Sequence, residues 1–273
     1  NYILYGLGQP LHCFDLAKID GEKVIVKTCA QGTPFVTLDG VEHHLDERDL
    51  MICSATRPMC IAGVFGGLDS GVTTDTTDIF LESAYFQPTS VRRTARRHGL
   101  STDASFRYER DTDPNITMYA LKLAALMVKE MCGGEICGEP VDVKAHEFPP
   151  FKVELSYEYI NNLIGKEIPK DTVHSILESL EIAITNESTE DVMHLLVPTY
   201  RVDVQRPCDV VEDLLRIYGY NNVEISSTVH SSLSYKSMTD FSSELRTLIS
   251  EQLTACGFNE ILNNSLTAEA YYA

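Results

Sequence analysis

Short apolar runs separated by turn residues fill the first third of the chain, a pattern that predicts strands. EKVIVKT (22–28), FVTLDGVEHHL (35–45), MICSA (51–55), MCIAGVFGG (59–67) and DIFLESA (78–84) are such runs. Asp39-Gly40 lies between two apolar stretches and has the chemistry of a hairpin turn, since glycine accepts a positive φ at no steric cost. The pattern then lengthens to helical spacing. One helix is expected from about Thr89 to His98, stopped by Gly99. A second is expected to open at Asp113-Pro114, a capping residue followed by proline, and to end at Gly133-Gly134. Along it Met118, Leu121, Ala125, Val128 and Cys132 recur at helical spacing, which assigns them to the core.

AHEFPP (145–150) breaks the pattern with two prolines. Beyond it KVELS (152–156) reads as a strand entering a helix through Ser156. Lys170 to Leu180 reads as an amphipathic helix with Val173, Ile176, Leu177 and Leu180 on one face. Two short strands flank the polar loop NESTED (186–191), and a further helix is expected from near Asp209 to Gly219. In the tail, from about Val229, a helix over Asp240 to Cys256 and a strand in FNEILNNSL are expected. The chain is thus read as α+β: a layered sheet-and-helix domain (1–146), a small helical, winged-helix-like domain (151–226), and the start of a third (227–273).

The 273 residues suffice for two cores. The formal charge of −18 argues against nucleic-acid binding by the chain as a whole, because phosphate neutralisation supplies most of that affinity. The charge is uneven, however. Residues 92–110 hold Arg92, Arg93, Arg96, Arg97, Arg107 and Arg110 against Asp103 and Glu109 only. They form either a local basic surface or a solvated helix face paired with neighbouring acids. Eight cysteines without a CxxC pair suggest a reducing, cytoplasmic setting without zinc. Neither a signal peptide nor a membrane span is visible.

Chemistry-bearing positions are few. His12 in GQPLHCFD is either a core histidine or a site residue. Glu82 in IFLESAYF is a carboxylate within an apolar strand, either turned outward or waiting at a pocket floor for a hydroxyl donor. AGVFGG (62–67) lacks the Lys-Ser/Thr of a phosphate-binding loop, so a nucleotide site is excluded there. Gly63, Gly66 and Gly67 either admit a ligand to the backbone or make a tight turn. STDAS (101–105) offers Thr102 and Ala104 as pocket walls or as a capping turn. Asp209, Glu212 and Asp213 stand at i, i+3 and i+4 and, with Asp203, present oxygens that suit magnesium; the same acids also suit a helix N-terminus.

Taken in order, GQPLHCFDLAKIDG, AGVFGGLDSGV, LESAYFQPTSVRRTARRHGLSTDASFRYERDTDP and PTYRVDVQRPCDVVEDLLRIYGYNNV closely resemble the bacterial phenylalanyl-tRNA synthetase beta subunit. The resemblance implies an internal fragment carrying the tRNA editing domain, which hydrolyses tyrosine wrongly attached to phenylalanine tRNA. It places Asn1, His12, Gly63, Gly66, Glu82, Thr102 and Ala104 at the editing pocket, with Glu82 accepting the tyrosyl hydroxyl. It assigns a magnesium ion (Mg2+), shared with the alpha subunit, to Asp203, Asp209, Glu212 and Asp213. It further implies an (αβ)2 enzyme acting on tRNA(Phe), with ATP a substrate at a synthetic site outside this chain. A noncatalytic tRNA-binding module and a subunit-docking module are the alternatives.

Overall fold

The computed structural model describes residues 1–225, 228 and 237–272, so the expected beginning of the tail at Val229 lies outside the described residues. Residues Asn1–Val223 form one compact unit and Glu224–Ala273 another. Helix and sheet are mixed throughout the first.

In chain order the first region contains α1 (Tyr2–Leu7), β1 (Leu11–Asp15), β2 (Ile25–Thr28), β3 (Pro34–Val36), β4 (Glu42–His44), β5 (Leu50–Cys53), β6 (Pro58–Ile61), β7 (Phe65–Gly66) and β8 (Ile79–Ser83). Three helices follow: α2 (Pro88–His98), α3 (Asp103–Tyr108) and α4 (Thr117–Cys132). The strands form antiparallel groups, β2-β5-β6-β7, β1-β8 and the hairpin β3-β4. The hairpin forms where Asp39-Gly40 predicts it: Asp39 accepts from Thr37 Oγ1 (2.5 Å) and the Val41 amide (3.2 Å), and Gly40 takes φ +80°. The main core of this region lies between strands and helices, with Phe14, Met51, Ile52, Met59 and Ile61 almost wholly removed from water, and a smaller cluster lies between α1 and α4.

Helix α2 begins with Pro88 in its first turn and ends at Gly99, which takes the left-handed conformation. Its inner end is pinned by Asp49, a fully buried carboxylate. Asp49 accepts from Thr94 Oγ1 (3.0 Å), from Arg97 Nη1 and from the Asp46 amide (2.8 Å), with His98 Nε2 at 2.6 Å. Charged and neutral donors together satisfy a group that burial alone would make costly.

Helix α4 departs from expectation in start and phase. Asp113 does not begin it; that carboxylate accepts from the Asn115 amide (3.0 Å) and Thr199 Oγ1 (2.6 Å), and the helix opens at Thr117. The deepest positions are Ala120 and Ala124, packed with Ile3 and flanked by Leu123 and Met127. Met118, Leu121, Ala125 and Val128 are only half-buried and Cys132 is exposed. Two alanines at i and i+4 let the backbone approach α1 and β8, so small size rather than bulk sets the inward face.

The second region contains β9 (Phe151–Ser156), α5 (Tyr157–Ile164), α6 (Lys170–Ser179), β10 (Ala183–Ile184), β11 (Val192–Val197) and α7 (Pro207–Tyr218). The sheet order is β10-β11-β9, all antiparallel. Val153 and Leu155 of β9 alternate inward, as do Met193, Leu195 and Val197 of β11, onto a separate core shared with the three helices. Helix α7 starts two residues before Asp209, with Pro207 in its first turn. In the tail α8 (Met238–Ala255) is capped by Ser237. No strand forms over Phe258–Leu266, whose Ile261, Leu262 and Leu266 are exposed. An apolar run fixes a strand only where another strand accepts its hydrogen bonds. No helix among the described residues is long and apolar enough to cross a membrane.

Candidate functional site

Strands β1 and β8 pair in a register that sets His12 directly opposite Glu82. Cross-strand partners project from the same face of a sheet, so the two side chains stand together. Glu82 is half-buried, and its Oε2 is removed from solvent and has no hydrogen-bond partner. Burial raises this carboxyl to about 8. At neutral pH it is therefore mainly a neutral acid, able to donate as well as accept. His12 Nε2 is also buried without a partner, and burial lowers the imidazole pKa, keeping the ring neutral.

Gly66 makes room for that ring. A methyl group at Gly66 would stand 2.6 Å from His12 Cε1 and 3.0 Å from Leu38 Cδ1, well inside contact distance. Gly63 has a different use. It takes φ +70° in the turn between β6 and β7, and a side chain there would strike Phe86, Val91 and Tyr108 at 3.0–3.1 Å. It closes the turn against the core. Thr102 caps α3 by accepting from the Ser105 amide (3.1 Å) and donates to the Val64 carbonyl (2.7 Å), fastening α3 to the same turn. Ala104 packs on the edge of the core.

Sequence reasoning missed three further groups. Gln9 is fully buried, and its Nε2 donates to the Ala84 carbonyl (2.7 Å), the Pro10 carbonyl (3.1 Å) and Tyr108 Oη (3.3 Å), leaving Oε1 without a partner. The Tyr108 hydroxyl bonds to the Ala84 carbonyl at 2.8 Å. Burial raises the Tyr108 and Cys60 pKa values, and the nearby Glu82 carboxyl raises both further. Gln9 in GQP resembles an ordinary turn residue in sequence; only its burial marks it. Asn1 caps α1 through its carbonyl, which accepts from the Tyr5 amide (2.9 Å), and its side chain is exposed.

The four acids of the second region do not converge on a ligand set. Asp209 accepts from Arg206 Nη2 (2.7 Å), Arg206 Nε (3.1 Å) and the amides of Gln205 (3.2 Å) and Arg206 (2.8 Å); these donors, the Arg206 side chain foremost, hold its carboxyl well below the usual range. Asp213 is clamped between Arg201 Nη1 (2.7 Å) and Arg216 Nη2 (2.8 Å). Asp203 and Glu212 are exposed, and no group of three metal-ligating side chains gathers among the described residues. As arranged, the oxygens of Asp209 and Asp213 serve guanidinium groups, and the set does not fit magnesium.

Comparison with known proteins bears on both regions. Residues 1–133 match the B3/4 domain family and residues 153–220 the tRNA synthetase B5 domain family. The phenylalanine–tRNA ligase beta subunit of Bacteroides fragilis (strain YCH46) is 65% identical over 272 residues, covering 100% of this chain and 33% of that protein. The Porphyromonas gingivalis (strain W83) beta subunit is 56% identical over 273 residues, with the same two coverages. A solved N-terminal fragment of the phenylalanyl-tRNA synthetase beta subunit from Pyrococcus horikoshii is similar at 18% identity and TM-score 0.42, covering 78% of this chain and 60% of its own. The chain spans about a third of the length of the curated relatives it matches. With relatives this similar along its whole length, and B3/4 and B5 regions in succession, the chain belongs to the phenylalanine–tRNA ligase beta-subunit family.

Proposed function

We propose that the site at Glu82 and His12 hydrolyses tyrosine wrongly attached to phenylalanine tRNA. The observation that carries this reading is a pair of buried, neutral, unpartnered polar groups set opposite each other across β1 and β8. Unsatisfied buried groups are costly, and a ligand that satisfies them is bound selectively. Tyrosine differs from phenylalanine by one hydroxyl. A site that hydrogen-bonds a hydroxyl rejects the analogue lacking it far better than a site built for the smaller ligand rejects the larger one. Glu82 meets the tyrosyl hydroxyl, and His12 positions the substrate or the attacking water. Water oxygen bonds to the ester carbonyl carbon, the bond to the ribose oxygen breaks, and that oxygen takes up the proton. Tyrosine and free tRNA leave.

In the longer protein this activity accompanies ATP-dependent attachment of phenylalanine, performed in the cytoplasm in an (αβ)2 assembly with the synthetic site on the alpha subunit. Any magnesium shared with that subunit requires Arg206, Arg201 and Arg216 to release their carboxylates, and no step of the hydrolysis runs through it. The test is single-turnover deacylation of tyrosyl- and phenylalanyl-tRNA by the parent and Glu82→Ala. A neutral hydrogen bond contributes about 0.5–1.5 kcal/mol, so preference for the tyrosyl ester should fall roughly two- to tenfold. Equal loss on both esters would assign Glu82 to structure or to the hydrolytic step. No release of tyrosine by the parent would leave a binding or docking module.

A further inference from the structure

The arginines of residues 1–223 divide sharply. There are eleven; seven stand in ion pairs with carboxylates, and Arg107 donates to the Gly8 carbonyl at 3.1 Å. The remaining three are Arg92, Arg93 and Arg96. Their side chains are exposed and have no ion pair or hydrogen bond among the described residues. All three lie on α2 within five consecutive positions, and Arg92 and Arg96 are neighbours one turn apart. Of the two sequence-level readings, a paired solvated face does not form there.

The second region offers no comparable surface. Residues 151–223 hold 6 Lys and Arg against 13 Asp and Glu. All three arginines among them are neutralised, Arg201 and Arg216 by Asp213 and Arg206 by Asp209. An RNA approaching this acidic chain meets unneutralised guanidinium groups on α2 and not on α7. The opposite face of α2 packs into the core of the first region: Val91 and Ala95 belong to the same buried cluster as Cys60 and Tyr108.

We propose that the Arg92, Arg93 and Arg96 face of α2 binds the sugar-phosphate backbone of the RNA whose esterified end enters the Glu82 pocket. The inference rests on the editing reading. Guanidinium groups suit phosphate because their planar forks donate paired hydrogen bonds, and each neutralised phosphate releases bound counterions. Sequence is not read by such contacts; they set the position of the RNA.

The experiment measures binding of a deacylated transfer RNA transcript to the 273-residue chain by fluorescence anisotropy from 50 to 200 mM salt. Three variants are compared: the parent, Arg92→Gln/Arg93→Gln/Arg96→Gln, and the matching triple lysine variant. Circular dichroism checks that α2 persists. Three lost contacts should lower the slope of log affinity against log salt by roughly 2–3, so across this range parent and glutamine affinities should converge by roughly 20- to 40-fold. The lysine variant should keep most of the slope. A glutamine variant with the parental slope overturns the proposal, as does equal loss in both variants or no salt-dependent binding by the parent; the first and last would leave α2 as a face for an acidic protein surface. Because the probe carries no ester, failure here is separate from failure of hydrolysis, which Glu82→Ala tests without touching α2.

Discussion

Replacing Glu82 by glutamine keeps the shape of the side chain and removes its titration. In the folded protein the carboxyl is raised by burial to about 8, from an ordinary value of 4.5. Between these values the native state keeps a proton that the unfolded chain has lost. Stability from this group is fully present below pH 4.5 and is lost as pH rises through 8, the reverse of a salt-bridged carboxylate. The slope is about 1.4 kcal/mol per pH unit within the window, so roughly 2–3 kcal/mol is lost between pH 5.5 and 7.5. Glu82→Gln loses none of it. Urea unfolding of both proteins at steps from pH 5 to 9, followed by circular dichroism and tyrosine fluorescence, gives the difference directly. The advantage of the variant should grow across that interval and level off above about pH 8. A difference that stays flat would refute the buried, neutral carboxyl on which the proposed chemistry depends.

Gly66→Ala should destabilise the chain by about 1–3 kcal/mol, since its methyl group meets the His12 ring, and the cost should shrink measurably in a His12→Ala background. Equal costs in both backgrounds would show that the ring does not occupy that space. Asp213→Ala should cost about 1–3 kcal/mol, because it leaves the largely buried Arg201 guanidinium without its carboxylate while the more exposed Arg216 returns to water, and a change within a few tenths on denaturant titration would count against the clamp.

Much of the fold is legible where a local rule is sufficient. Pro88 and Gly99 bound α2 from both ends, and Asp39-Gly40 closes its hairpin, because each acts through its own backbone geometry. What fails does so through partners distant in sequence. Asp113 has the look of a helix cap, yet it is engaged by Thr199, and the inward phase of α4 follows from close approach at Ala120 and Ala124. The site divides in the same way. Glu82 in an apolar strand is conspicuous, and His12 stands opposite it only because β1 and β8 pair in one register. The protonation of Glu82 and the burial of Gln9 are properties of enclosure, which no spacing encodes. Asp209, Glu212 and Asp213 do share a helix, but spacing says nothing of the arginines that take up two of them.

The anchorage of α2 at Asp49 turns the run RRTARR into a question of phase. Arg97 points inward to the buried carboxylate while Arg92, Arg93 and Arg96 face water, although all four residues are chemically identical. A helix turns about 100° per residue, so one residue inserted between Arg93 and Thr94 would swing Arg92 and Arg93 about 100° away from Arg96, with the clamp still holding Thr94 and Arg97 at the end of the helix. Composition and net charge would hardly change, yet the outward pattern of cations would be redrawn. Length is therefore constrained more tightly than identity in this segment: lysine for arginine on the outer face is a small change, and an insertion of one residue is a large one.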